Sequence, residues 1–187
     1  NAITVAGCFL AILAATILLL RQCYLLYGIL VFVAGVLDGV DGEVARVTGH
    51  VTESGGYVDS ILDRIGDIVL LVPFLFLPNT LPCLGDTWMW VFAAITGCLL
   101  ASYVRTRATA AQVPDTNIGL GGRSERLFVL VVTSLLYFLD YRIPYLGVIL
   151  VALLAHATVL HRLVAYERQL RGPPVTKRKP ARSKPRR

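Results

Sequence analysis

Six long apolar stretches follow one another along this chain, separated by short polar breaks. They cover roughly residues 3–20, 22–45, 57–78, 87–110, 125–141 and 143–165. Each is close to the ~20 residues that an α-helix needs to cross a ~30 Å hydrocarbon core. No stretch alternates apolar and polar residues as a half-buried strand would. The pattern therefore predicts an all-α membrane protein with six transmembrane helices.

The composition excludes an ordinary soluble domain. Hydrophobic residues make up 56% of the chain and charged residues only 16%, with a mean hydropathy of +0.67. A soluble globular domain carries about 25% charged residues. We expect one transmembrane domain over residues 1–170, followed by a basic, disordered tail over residues 171–187.

The distribution of basic residues predicts the orientation in the membrane. Ten of the 18 Lys and Arg residues lie at or after Arg162, whereas Arg21 and Arg142 fall on the opposite side if there are six spans. Basic residues favour the cytoplasmic side. The tail should therefore be cytoplasmic and rest on anionic lipid headgroups. No aromatic residues interleave its charges, so we do not expect it to bind nucleic acid.

Four aspartates interrupt the apolar pattern where the second stretch ends and the third begins. They are Asp38, Asp41, Asp59 and Asp63. A carboxylate at the bilayer centre costs about 3 kcal/mol on insertion scales, so these need a cation or a wet cavity. The first two are three residues apart and the last two are four apart, so each pair shares one face of a helix. The spacing predicts a divalent-metal site, and the alternative is a solvated loop between two helices.

The type of ligand in the cluster limits which metal ions it can bind. Clusters made only of oxygen ligands suit Mg²⁺ or Mn²⁺, and two such ions could clamp both oxygens of a phosphoryl displacement. Small residues nearby leave room for a ligand, and Arg46 would face an anion because its guanidinium matches phosphate oxygens. These small residues are Gly39, Gly42, Ala45, Gly55 and Gly56.

The complete pattern resembles the signature of the CDP-alcohol phosphotransferases. It reads Asp38-x2-Asp41-Gly42-x2-Ala45-Arg46-x8-Gly55-x3-Asp59-x3-Asp63, without a missing position. The resemblance extends over about residues 1 to 170. It implies six membrane helices around a polar cavity that is open to the cytoplasm. It also implies that the four aspartates bind two ions of Mg²⁺ or Mn²⁺. Finally, it implies a set of residues that bind the CDP-alcohol. These are Asp38, Gly39, Asp41, Gly42, Ala45, Arg46, Gly55 and Asp59.

Four arginines form a second candidate group beside the acidic motif. Arg105 and Arg107 end the fourth stretch, while Arg123 and Arg126 open the fifth. They could converge on one phosphate, or they could simply be cytoplasmic flanks of the spans. Here the chain resembles the inositol-phosphate-using branch of the family, in which the last aspartate is followed by Arg, as Arg64 follows Asp63. Glycerophosphate-using relatives more often carry Lys there, and glycerol 3-phosphate is the alternative acceptor.

The resemblance implies a mechanism. Asp63 is the general base that takes the proton from the acceptor hydroxyl, which attacks the distal phosphorus of the CDP-alcohol so that CMP leaves. CDP-diacylglycerol or CDP-archaeol is the expected donor and a phosphorylated polyol the expected acceptor. Asp67 continues the row of Asp59 and Asp63, and either tunes the site or pairs with Arg64 or with an arginine of another helix.

Two other classes of protein also place carboxylates in membranes. A membrane prenyltransferase would normally have two aspartate-rich clusters and more spans, and an ion-coupled transporter would not need the Asp-Gly-x2-Ala-Arg sequence. The resemblance further implies a homodimer. The chain begins at Asn1, and its first residues are similar to the start of the first span in the family, so we expect a segment upstream.

Overall fold

The structure is a computed structural model that describes residues 2–48, 53–78, 81–116, 118–119 and 121–171. For residues 2–4, 41–48, 53 and 82 it describes the backbone alone. Every regular element in this part of the chain is helical. The α-helices are α1 (Ala2–Arg21), α2 (Tyr24–Thr48), α3 (Glu53–Leu71), α4 (Thr87–Ala110), α5 (Arg123–Leu135) and α6 (Ile143–Arg171). The all-α prediction is confirmed.

The observed helices differ in length from the apolar stretches. α3 ends at Leu71, and a short 3-10 helix with Pro73 near its start takes over, because proline lacks the N–H that would continue an α-helix. α5 has only 13 residues, about 20 Å, and is followed by a 3-10 turn over Leu136–Phe138. α6 runs on to Arg171, beyond the predicted end at residue 165.

Two helices are long and apolar enough to cross a membrane by length and composition. They are Thr87–Ala110 and Ile143–Arg171, and shorter apolar helical stretches cover Val5–Arg21 and Tyr24–Val40. This test covers only the residues that the structure describes. The regular elements of the described residues are thus all helical and include two candidate spans, whereas six crossings of the membrane stay a prediction.

The helices pack in a closed ring. α1 packs against α2, α2 against α5, and α5 against α6; α6 then packs against α4, α4 against α3, and α3 against α1. Chain neighbours are therefore not always spatial neighbours, since α5 lies between α2 and α6. This order brings the start of α5, with its arginines, next to the acidic residues of α2 and α3.

A buried tyrosine links α2 to the end of α3. Tyr27 of α2 is fully buried, and its hydroxyl donates a hydrogen bond of 2.9 Å to the carbonyl of Leu70. Its ring also meets Phe74 edge-on, with centroids 5.8 Å apart. Tyr27 lies about three turns before Asp38, and Leu70 lies about two turns after Asp63. These contacts help to set the positions from which the two helices present their aspartates.

α4 and α6 approach closely at Gly97. A Cβ atom at this position would lie 2.8 Å from the Cβ of Ala155 and 2.8 Å from Nδ1 of His156. Real Cβ atoms do not come so near to other heavy atoms, so only glycine fits between the two helices. The contact holds α6 against the helix that carries Arg105.

Candidate active site

Three of the four predicted aspartates converge at one point. Asp38 comes from α2, while Asp59 and Asp63 come from one face of α3, and one carboxylate oxygen of each lies within 4.8 Å of the other two. All three are partly buried. A cluster of oxygen ligands this compact fits a hard divalent cation such as Mg²⁺ or Mn²⁺. The chemistry of the donor set therefore agrees with the metal expected from the sequence.

Four further predicted residues lie on the last part of α2. They are Asp41, Gly42, Ala45 and Arg46. Their side chains are outside the part of the chain that the structure describes, so their roles stay predictions. Gly39 lies one residue after Asp38, and a Cβ built there would have no heavy atom within 4 Å. Gly55 is half-buried in the first turn of α3.

Arg123 lies among the carboxylates. Its Nη1 is 2.7 Å from Oδ2 of Asp38 and 2.8 Å from Oδ1 of Asp63, and its Nε is 3.2 Å from Oδ1 of Asp67. Burial opposes the guanidinium charge, but the three carboxylates outweigh it and raise the pKa of Arg123. Of the pairings open to Asp67, the structure shows the one with an arginine of another helix. Arg123 was predicted to bind the acceptor phosphate, and here it binds aspartates.

A cavity of about 500 Å³ opens beside this ion-paired cluster. One part of its lining is polar and includes Asp38, Asp63 and Arg123 together with Gly39 and Arg105. The other part is apolar and is formed by side chains of α2 and α5. These are Val31, Phe32, Val36, Leu127, Phe128 and Val131. The cavity can therefore take a molecule with a charged head and an apolar body.

A second cavity, of about 130 Å³, is also lined by Arg123 and is rich in arginine. Its basic lining residues are Arg64, Arg105, Arg123, Arg126 and Arg162. Arg126 is only 7% exposed, and its Nε and Nη1 have no hydrogen-bond partner among the described residues. Leaving buried donors unpaired costs about 1–3 kcal/mol. An anion in this cavity would lie beside the guanidinium of Arg126.

The predicted arginines are not equivalent in the structure. Arg105 is exposed and lines both cavities, whereas Arg107 is exposed and is absent from the described lining of either. Arg64 donates to Ser60 of its own helix, at 2.7 Å to the hydroxyl, and to the hydroxyl of Ser102 on α4. The bond between Arg64 and Ser102 joins α3 to α4, and both of these residues line the smaller cavity.

Sequence reasoning missed Arg162 as a site residue. It is 9% exposed on α6, and it donates to the carbonyls of Ile118 and Ala101 at 2.8 and 2.6 Å while lining the smaller cavity. The available signal was a charged residue inside the sixth apolar stretch, since such residues are rarely placed there without a role. It was instead counted with the basic residues of the tail.

One face of α6 holds the segment that leads into α5. Thr158 donates to the carbonyl of Gly121 at 3.2 Å, and Tyr166 donates to the carbonyl of Thr116 at 2.9 Å. Gln169 bonds both the N–H and the carbonyl of Asp115, each at 3.1 Å. Together with Arg162, these residues fix the connection from which α5 begins, and so they position its two arginines.

Known proteins resemble this chain over most of its length. The CDP-alcohol phosphatidyltransferase family matches residues 1–162. The archaetidylinositol phosphate synthase of Pyrococcus horikoshii is 33% identical over 172 residues, which are 91% of this chain and 84% of that protein. The bifunctional IPC transferase and DIPP synthase of Aquifex aeolicus is 36% identical over 119 residues, which are 58% of this chain but only 26% of that protein.

Solved structures show the same fold. The phosphatidylinositol phosphate synthase of Mycobacterium tuberculosis with CDP-DAG bound superposes with a TM-score of 0.75 at 21% identity, over 88% of this chain and 84% of that one. The same enzyme in complex with manganese and citrate gives 0.73 at 20% identity, over 88% and 80%. The family match extends over most of the chain and includes every aspartate of the cluster. This chain therefore belongs to the CDP-alcohol phosphatidyltransferase family.

Proposed function

We propose that this enzyme transfers the phosphoalcohol part of a CDP-linked lipid to a hydroxyl group of inositol phosphate and releases CMP. The observation that carries the proposal is the position of the arginine-lined cavity directly beside the carboxylate cluster. The carboxylates can bind divalent cations, which in turn bind the diphosphate of the donor. The arginines can bind the phosphate of the acceptor. Two anionic substrates can thus meet at Asp63, which lines both cavities.

Asp38, Asp59 and Asp63 would hold the divalent cation, and we expect Asp41 to complete the set. The proposed cofactor is Mg²⁺ or Mn²⁺, with two ions in the active enzyme. When bound, the ions would neutralise the diphosphate and the charge that develops on CMP as it leaves. The manganese complex of the Mycobacterium tuberculosis enzyme supports this choice of metal.

The shape of the larger cavity supports a lipid donor. A CDP-lipid has a charged diphosphate and long apolar chains, which match the polar end and the apolar α2–α5 wall of the cavity. A water-soluble CDP-alcohol would leave that wall without a partner. The structural neighbour with CDP-DAG bound agrees with this assignment.

The arginine-lined cavity supports a phosphorylated acceptor. Arg126 is buried with two unpaired donors, and Arg105 and Arg162 add positive charge to the same space. Guanidinium groups bind phosphate through paired, charge-assisted hydrogen bonds. The Pyrococcus horikoshii relative is an archaetidylinositol phosphate synthase, which favours inositol phosphate over glycerol 3-phosphate.

The residues then divide the reaction between them. Asp63 takes the proton from the acceptor hydroxyl, and that oxygen forms a bond to the distal phosphorus of the donor. The bond between that phosphorus and the CMP oxygen breaks, and CMP leaves with the electron pair. The buried arginines hold the acceptor so that its hydroxyl faces the phosphorus, which removes most of the entropy cost of the encounter.

An assay of CMP release with a panel of donors and acceptors tests this proposal. The purified enzyme with Mg²⁺ or Mn²⁺ should release CMP from CDP-diacylglycerol or CDP-archaeol when inositol phosphate is added. It should release much less with glycerol 3-phosphate or with unphosphorylated inositol. Turnover of a water-soluble CDP-alcohol at an equal rate would contradict the lipid donor. The absence of CMP release with every acceptor would favour the transporter alternative.

The proposed setting is a multi-pass protein of the cell membrane, with the cluster on the cytoplasmic side. Cys83 tests this orientation because it is an exposed cysteine in the α3–α4 connection, at the end opposite to the cluster. A membrane-impermeant maleimide should label Cys83 in intact cells but not in sealed inside-out vesicles. Cys83→Ser is the control, and the reverse pattern would invert the topology. We also propose a homodimer, which cross-linking in the membrane would detect.

A further inference from the structure

Arg123 and a divalent cation compete for the same carboxylate oxygens. Nη1 of Arg123 lies 2.7 Å from an oxygen of Asp38 and 2.8 Å from an oxygen of Asp63. Both residues belong to the group whose oxygens come within 4.8 Å of one another. An ion bound by these two oxygens would lie about 2.0–2.2 Å from each, in the space that Nη1 fills. Two cations so close would also repel each other.

The position of Arg123 leaves it room to move. Its side chain lines both the cavity of about 500 Å³ and the cavity of about 130 Å³. Its backbone is fixed as the first residue of α5, and its guanidinium is held by the ion pairs with Asp38, Asp63 and Asp67. Gly66 of α3 lies next to the guanidinium, and a Cβ atom built there would be in ordinary van der Waals contact with Nη2, at 3.6 Å.

We propose that Arg123 is the internal counter-ion of the carboxylate cluster and that a divalent cation displaces it into the neighbouring cavity. This inference rests on the proposed metal site. Without the metal, the guanidinium holds α2, α3 and α5 together through Asp38, Asp63 and Asp67. With the metal in place, it faces the space where the phosphates of the substrates bind. Arg123 is then a positioning residue that makes metal binding precede anion binding.

The test is the affinity for Mn²⁺ alone, with no substrate present. Free Mn²⁺ is measured by electron paramagnetic resonance during titration of the full chain in nanodiscs. Arg123→Gln should bind Mn²⁺ about tenfold more tightly than the wild type, a difference of about 1.4 kcal/mol. Arg123→Lys should lie between them, because one ammonium group keeps the charge but cannot serve both the Asp38–Asp63 pair and Asp67. Arg168→Gln removes an exposed charge on α6 and should not change the affinity.

Thermal unfolding gives a second measurement, because Arg123→Gln should lower the melting temperature of the metal-free protein while it raises the affinity for Mn²⁺. Without metal, Arg123→Gln should melt about 2–4 °C below the wild type, since it leaves three carboxylates facing one another. With saturating Mn²⁺ this difference should vanish or reverse. A purely structural role for Arg123 would instead lower both the stability and the Mn²⁺ affinity.

The outcomes separate this inference from the metal site itself. Equal or weaker Mn²⁺ binding by Arg123→Gln, while Asp59→Asn abolishes binding, overturns the displacement and leaves the metal site standing. Failure of both the wild type and Arg123→Gln to bind Mn²⁺ overturns the metal site and the displacement together.

Discussion

Replacing Arg126 with Met should separate acceptor binding from stability. Arg126 is 7% exposed, and its Nε and Nη1 find no partner among the described residues, so the side chain serves a ligand more than the fold. A charge-assisted hydrogen bond contributes about 1.5–3 kcal/mol, which corresponds to roughly a tenfold to hundredfold change in affinity. We expect kcat/KM for inositol phosphate to fall by that factor in Arg126→Met.

The same substitution should not weaken the folded protein. Met fills a similar volume and needs no hydrogen bond, so the substitution removes two buried donors that have no partner among the described residues. The melting temperature in detergent should stay the same or rise by about 2–4 °C. The KM for the CDP-lipid should change less than twofold, and Arg168→Gln, an exposed change, should match the wild type in every measurement. An equal rise in both KM values, or a clear loss of stability, would refute the reasoning.

Three further predictions follow from the geometry. Asp63→Asn should lower kcat by about 10²–10⁴-fold while CDP-lipid binding stays measurable by calorimetry, and equal loss of both would make Asp63 chiefly a metal ligand. Gly39→Ala should raise the KM for the CDP-lipid without loss of stability, because its Cβ meets no protein atom within 4 Å; Gly56→Ala, equally open but outside the described cavity lining, should leave that KM unchanged. Tyr166→Phe removes the bond to the Thr116 carbonyl and should raise the KM for inositol phosphate by severalfold more than that for the donor.

The helices and the acidic cluster could largely be predicted from the sequence. Asp59 and Asp63 are four residues apart on α3, so local helix geometry places them on one face. Asp38 lies in the second half of α2, and only a short connection separates that helix from α3, so the aspartates of both helices lie toward the same end of the bundle. These relations depend on short distances along the chain, which is why the spacing alone was informative.

The arrangement of the arginines could not be predicted in the same way. Arg123 and Arg126 are three residues apart on α5, yet one binds aspartates and the other lines a cavity with two nitrogens that have no hydrogen-bond partner among the described residues. Which partner each meets depends on how α5 is rotated between α2 and α6. The partners of Arg162 are even harder to predict, because the carbonyls it binds are 44 and 61 residues away in the sequence.

The residues at which helices end also could not be predicted from the hydropathy pattern. Apolar residues continue past Leu135, but the chain turns there, and the carboxylate of Asp140 accepts a bond of 2.8 Å from the N–H of Arg142 before α6 begins. Hydropathy reports burial in lipid or protein, whereas a helix end is set by local hydrogen bonds of this kind. The short α5 is the consequence.

The central claim is that Asp38, Asp59 and Asp63 hold a divalent cation at the junction of the two cavities. The most direct measurement is an anomalous difference map from crystals of the protein grown with Mn²⁺. We expect a strong peak within about 2.0–2.5 Å of oxygens from all three aspartates, with the guanidinium of Arg123 turned away from them. A peak elsewhere, or none at these carboxylates at saturating Mn²⁺, would contradict it.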